Sequence, residues 1–91
     1  MNRIKIYKPP DSPAQAAEFI EGLEPKLRDK LVRQIFYLSQ TPLPELKEPH
    51  YKHFTLERYR ELYELRERGR VLVRVIFTIR PNGEVILLHG F

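Results

Sequence analysis

The sequence predicts an α+β domain of order β-α-α-β-β-β, with two N-terminal helices packed on one face of a mainly antiparallel four-stranded sheet. Three observations carry that expectation. Apolar residues recur at helical spacing between positions 16 and 38. From position 62 onward the apolar period changes to two and stays there. Asn82-Gly83 then separates two alternating runs, and this pair favours a tight hairpin turn.

Each element has a local reason. Arg3-Ile4-Lys5-Ile6-Tyr7 alternates polar and apolar side chains, the period of a half-buried strand. Lys8-Pro9-Pro10 ends it, because proline donates nothing to a ladder. Ser12 followed by Pro13 reads as an N-cap and first helical turn. Ala16, Phe19 and Ile20 form the apolar stripe of a short helix that Gly22 stops. Pro25 opens a second helix with a stripe of Leu27, Leu31, Ile35 and Leu38. Three prolines (Pro42, Pro44, Pro49) make 41–53 a long ordered loop. Segment 54–60 fits either a helical turn or the approach to a strand. Leu62–Glu67, Val71–Ile79 and Val85–His89 are the remaining strands, parted by Gly69 and by Pro81-Asn82-Gly83.

Alternation also fixes faces. Val71, Val73, Val75, Phe77 and Ile79 share the face that meets the helices, together with Tyr63 and Leu65. If Asn82 and Gly83 are the whole turn, Ile79 pairs with Ile86 and Phe77 with Leu88, which puts Ile86 and Leu88 in the core. His89 then lies opposite Ile76 on the other face. About three loop residues around Gly69 set Glu64 opposite Arg74. Arg66, Arg74 and His89 therefore converge on the face away from the helices, provided no strand slips by one residue.

Composition bounds the function. Ninety-one residues fit one domain, 1–91, which buries roughly 60% of its unfolded surface. With 42% hydrophobic and 31% charged residues the chain is globular rather than disordered. The absence of cysteine excludes disulfides, thiolate metal sites and cysteine nucleophiles. No apolar run reaches the roughly 20 residues of a membrane span, and Met1–Pro10 carries no signal-peptide core. A cytoplasmic protein is expected. The net charge is +4 and ten of the sixteen basic residues are arginine, a residue whose planar fork suits phosphate.

Two arginines, a lysine and a histidine on one sheet face suit a phosphodiester. Metal-free RNA cleavage needs a base for the 2′-OH, cations for the charge growing on phosphorus, and an acid for the leaving oxygen. His89 exchanges protons near neutrality. Lys52 serves as a base only where neighbouring cations depress its pKa. Arg66 and Arg74 remain charged and would clamp the phosphate. There is no carboxylate cluster for magnesium, no Gly-rich phosphate loop and no nucleophilic serine motif, so no cofactor is expected. His50 and His53 lack a third metal ligand. Tyr51 and Tyr59 are candidates to stack bases. Plainer readings stand beside these: a cross-strand ion pair for Arg74 with Glu64, a solvated hairpin rim for Arg66, Arg68 and Arg70, and packing for His89.

Tyr51-Lys52-His53-Phe54, Leu62-Tyr63-Glu64-Leu65-Arg66, Val73-Arg74-Val75-Ile76-Phe77 and Leu87-Leu88-His89-Gly90-Phe91 together resemble the RelE/HigB-like toxins of type II toxin–antitoxin systems, specifically the phage-derived branch. The resemblance covers nearly the whole chain. It implies a RelE-like fold, a ribosome-dependent, metal-independent mRNA endonuclease that inhibits translation, and a cognate antitoxin, the ribosome and mRNA as partners. By position, Arg66 and Arg74 match the arginines of the family's central strands, and Lys52 matches the basic loop position before them. In this branch His-Gly-Phe normally continues into a lysine pair, whereas this sequence ends at Phe91. The alternative expectation is therefore a catalytically inactive, shortened module that only binds antitoxin or RNA.

Overall fold

The computed structural model describes residues 3–40, 51–53 and 62–91. Positions 41–50, expected from sequence to be loop and including His50, and the segment 54–60, with Tyr59, lie outside the described residues. Two helices, α1 (Gln15–Glu21) and α2 (Pro25–Gln40), accompany five strands: β1 (Ile4–Ile6), β2 (Tyr51–His53), β3 (Leu62–Arg68), β4 (Leu72–Ile79) and β5 (Val85–Gly90). The strands form one sheet in the order β1-β5-β4-β3-β2. β1 runs parallel to β5, and the other three pairings are antiparallel. No helix among the described residues is long and apolar enough to cross a membrane.

The sheet thus has one strand more than expected. Tyr51–His53, read from sequence as the end of a proline-rich loop, pairs antiparallel with β3. The three prolines before it bias a sequence reading toward loop, and three residues are too few to show alternation.

The helices cover one face, α1 over β5 and α2 over β3. Ala16 and Ile20 of α1 meet Leu31 and Leu38 of α2, and beneath them lie Leu65, Val75, Phe77, Val85 and Leu87. The stripe expected for α2 is the one observed: Leu27, Leu31 and Leu38 are buried, and Ile35 packs against the core from its margin. Tyr63 also joins from the margin, its ring stacked on Phe77 with centroids 5.4 Å apart. The first helix starts later than its Ser-Pro signal suggested. Ala14 is the N-cap and makes no side-chain capping bond, while the Ser12 amide closes a turn onto the Pro9 carbonyl. Gly22 is the C-cap, as expected.

Two registers differ from expectation, for identifiable reasons. The β4–β5 turn holds three residues, not two. The Gly83 amide bonds the Arg80 carbonyl at 2.9 Å, the Arg80 amide bonds the Glu84 carbonyl at 2.8 Å, and Gly83 has φ 88°. A type I′ turn would need left-handed backbone at Asn82 as well, and Gly83 is the sole described residue with positive φ. Pro81 favours a type I turn at its second position, and the glycine that follows closes the hairpin. Ile79 therefore pairs with Val85 and Phe77 with Leu87, so Val85 and Leu87 fill the core where Ile86 and Leu88 were expected. A bulge at Leu88 then restores the pairing of Ile76 with His89.

The β3–β4 pairing is shifted by two positions. Arg66 lies opposite Arg74 and Glu64 opposite Ile76. A shift of two preserves every face, so the inward and outward sets survive. Val71, expected on the core face, belongs instead to the hairpin loop and is 61% exposed.

Candidate active site

The helix-free face of the sheet carries two adjacent cross-strand rows. In one, register partners run Lys52 on β2, Glu64 on β3, Ile76 on β4 and His89 on β5. In the next, Arg66 lies opposite Arg74, and Arg74 exchanges two backbone hydrogen bonds with Phe91, at 2.8 and 2.9 Å. All four residues singled out by chemistry therefore occupy neighbouring register positions. Directly paired positions on adjacent strands lie roughly 5 Å apart at Cα.

The electrostatics centre on Glu64. Its side chain is 8% exposed and lies between both arginines: Oε1 is 3.3 Å from Arg74 Nε and Oε2 is 3.5 Å from Arg66 Nε. The ion pair read from sequence for Arg74 is present, but diagonal across the strands and shared with Arg66. Two guanidinium charges against one carboxylate leave the cluster at +1. The Arg74 guanidinium also lies over the Phe91 ring, 5.7 Å from its centroid, within range of a cation–π attraction. His89 is exposed, and its ring centroid is 6.2 Å from that of Phe91.

The His89–Phe91 end of β5 is held from beneath. The Gln15 side-chain amide donates to the Gly90 carbonyl at 2.8 Å, and its oxygen accepts from the Gly90 amide at 2.7 Å. One side chain thus satisfies both polar groups of a strand residue, as a neighbouring strand would. The Phe19 ring packs over Gly90 in the space a Cβ would occupy. Sequence reasoning missed Gln15, because the contact spans 75 positions and no periodicity signals it. It also underused Glu64, whose alternation with Arg66 already placed both on one face.

Comparison with known families decides the grouping. The family described as Phage derived protein Gp49-like (DUF891) matches residues 18–91. The chain belongs to the Gp49-like family. That family is one of RelE-like toxins of toxin–antitoxin systems, in agreement with the resemblance carried by the 62–66 and 87–91 motifs. No curated protein matches the chain. The Gp49-like match includes both arginines, Glu64, Lys52 and His89, and begins within α1, so Gln15 precedes it.

Proposed function

We propose that this Gp49-like chain is the toxin of a type II toxin–antitoxin system, of RelE/HigB type, and that it inhibits translation by cleaving mRNA on the ribosome without a metal ion. One observation carries the reading: Arg66 and Arg74 are register partners on the open sheet face, one row from His89 and from the Lys52 position. A phosphodiester set over the arginine pair would have both cations beside its non-bridging oxygens. Attack of the 2′-oxygen forms a bond to phosphorus while the bond to the 5′-oxygen breaks. The products are a 2′,3′-cyclic phosphate and a 5′-hydroxyl. One proton leaves the 2′-OH and one reaches the 5′-oxygen, and His89 and Lys52 are the groups for those two transfers. Arg66 and Arg74 stabilise the extra negative charge of the pentacoordinate phosphorus.

A cognate antitoxin, the ribosome and mRNA are the partners this reading requires. The exposed arginine-rich hairpin rim, Arg68 and Arg70, suits an RNA surface, since phosphate contacts from arginine are independent of sequence. The second reading, a RelE-fold module that only binds antitoxin or RNA, draws on Glu64, which already balances part of the arginine charge.

In vitro translation with the purified protein, read by primer extension beside an Arg66→Ala variant, separates them. Defined cleavage that falls at least about a hundredfold in the variant, the loss of a transition-state charge contact worth some 3 kcal/mol, supports the nuclease. Intact mRNA with folded protein selects the binding module. Cleavage undiminished in the variant removes Arg66 from the chemistry.

A further inference from the structure

Arg66 and Arg74 face each other across β3 and β4, and like charges in directly opposed positions repel. Left alone, two flexible arginines would splay apart, and a phosphate would have to gather them at an entropic cost. Glu64 changes that. It sits two residues before Arg66 on the same strand face and diagonal to Arg74, with its side chain in the sheet's shelter and one oxygen toward each guanidinium. A buried carboxylate is tolerated only where it is paired, so the three side chains hold one another.

Both ion pairs are closest at Nε, although neither buried Nε–H makes a hydrogen bond. The attraction is therefore one of charge. A guanidinium is planar, and its Nε side and its two-Nη end are different edges. With the carboxylate on the Nε side, a phosphate would meet the two-Nη end. We propose that Glu64 is a positioning residue: its charge gathers the two guanidinium groups into a pair prepared for one phosphodiester. This inference rests on the reading of Arg66 and Arg74 as phosphate-binding groups.

The test uses the full chain and a single-stranded 2′-O-methyl oligoribonucleotide, which binds but offers no 2′-OH to react. Affinity is measured by fluorescence anisotropy well below the melting temperature of each variant, for wild type, Arg66→Ala, Arg74→Ala, Glu64→Gln and Glu64→Asp. Glu64→Asp keeps the net charge and shortens the reach by one methylene, so it separates position from charge and remains usable if Glu64→Gln folds poorly. The expected result is that both arginine variants and both Glu64 variants bind several-fold to about tenfold more weakly, a tenfold change being one lost contact of about the usual charge-assisted size. Weakening by Glu64→Gln, despite its gain of one positive charge, is the signature that a purely structural role would not produce in folded protein. Glu64 variants that bind as well as wild type or better, while the arginine variants weaken, overturn the positioning role and leave the phosphate reading standing. Arginine variants that bind like wild type overturn the phosphate reading and this inference with it.

Discussion

The two faces of β3, β4 and β5 are built by different rules from the same strands. On the inner face Leu65, Val75, Phe77 and Leu87 are at most 1% exposed, and shape decides what fits. On the outer face Glu64, Arg66, Arg74 and His89 are arranged by charge and register, and only Glu64 is buried. The connection between the faces is the bulge at Leu88. Leu87 and Gly90 both sit on the inner side, although three positions apart in a structure of period two, and one extra residue is needed between them. That same extra residue aims His89 outward beside Ile76. The packed face thus sets where the charged face carries its groups.

The largest test of this contrast is Phe77→Ala. Phe77 is fully buried in the middle of the core, and a buried phenylalanine truncated to alanine loses about 3–5 kcal/mol. That is a large share of the 5–15 kcal/mol typical of whole domains. Ile76→Ala, one residue away on the partly exposed face, should lose less than half as much. Urea unfolding midpoints with unchanged slopes give both values. Equal losses would mean that the outer face carries as much of the stability as the core.

Gly90→Ala is the intermediate test, because it strains the inner side of the segment that aims His89. The added methyl would enter the Phe19 ring. Overpacking of this kind destabilises by about 1–3 kcal/mol. Phe19→Leu in the same chain should recover part of the loss, so the two changes are non-additive. Additive losses in thermal melts would show that the ring is not what excludes a side chain at position 90.

Local patterns in the sequence carried much of this fold. The four-residue spacing from Leu27 to Leu31 gave the buried stripe of α2, and strict alternation put Arg66, Arg74 and His89 on one face. The misread parts were those where a local signal had a competitor. Asn82-Gly83 resembles a two-residue turn, but Pro81 lacks the amide to pair with Glu84 and moves the turn one position earlier. His89 was placed correctly because that one-residue shift and the bulge at Leu88 cancel. Neither the parallel pairing of β1 with β5 nor the Gln15 clamp on Gly90 leaves a trace in periodicity, since each joins residues some 75 or more positions apart.

The smallest expected effect lies at the sheet edge, where charge acts without the shelter Glu64 has. Lys5 on β1 holds Glu84, at the entry to β5, with Nζ 2.9 Å from Oε2. The hydrogen bond from the Lys5 ammonium, assisted by Asn82 and Arg80 and opposed by partial burial, lowers the Glu84 pKa from its ordinary value near 4.5. A carboxyl with a lowered folded-state pKa binds fewer protons folded than unfolded. Its contribution is therefore complete above the unfolded value and is lost as pH falls through the folded one. Lys5→Met should lie slightly below wild type at pH 6, and the gap should close as pH falls through the lowered Glu84 pKa, as protonation of Glu84 removes the pair from wild type too. Lys5 is largely exposed, so added salt should narrow the gap at pH 6. Melting curves at pH 3 and pH 6, at low and high salt, read all of this. A gap as wide at pH 3 as at pH 6 would remove pairing with Glu84 from the account of how β1 is held.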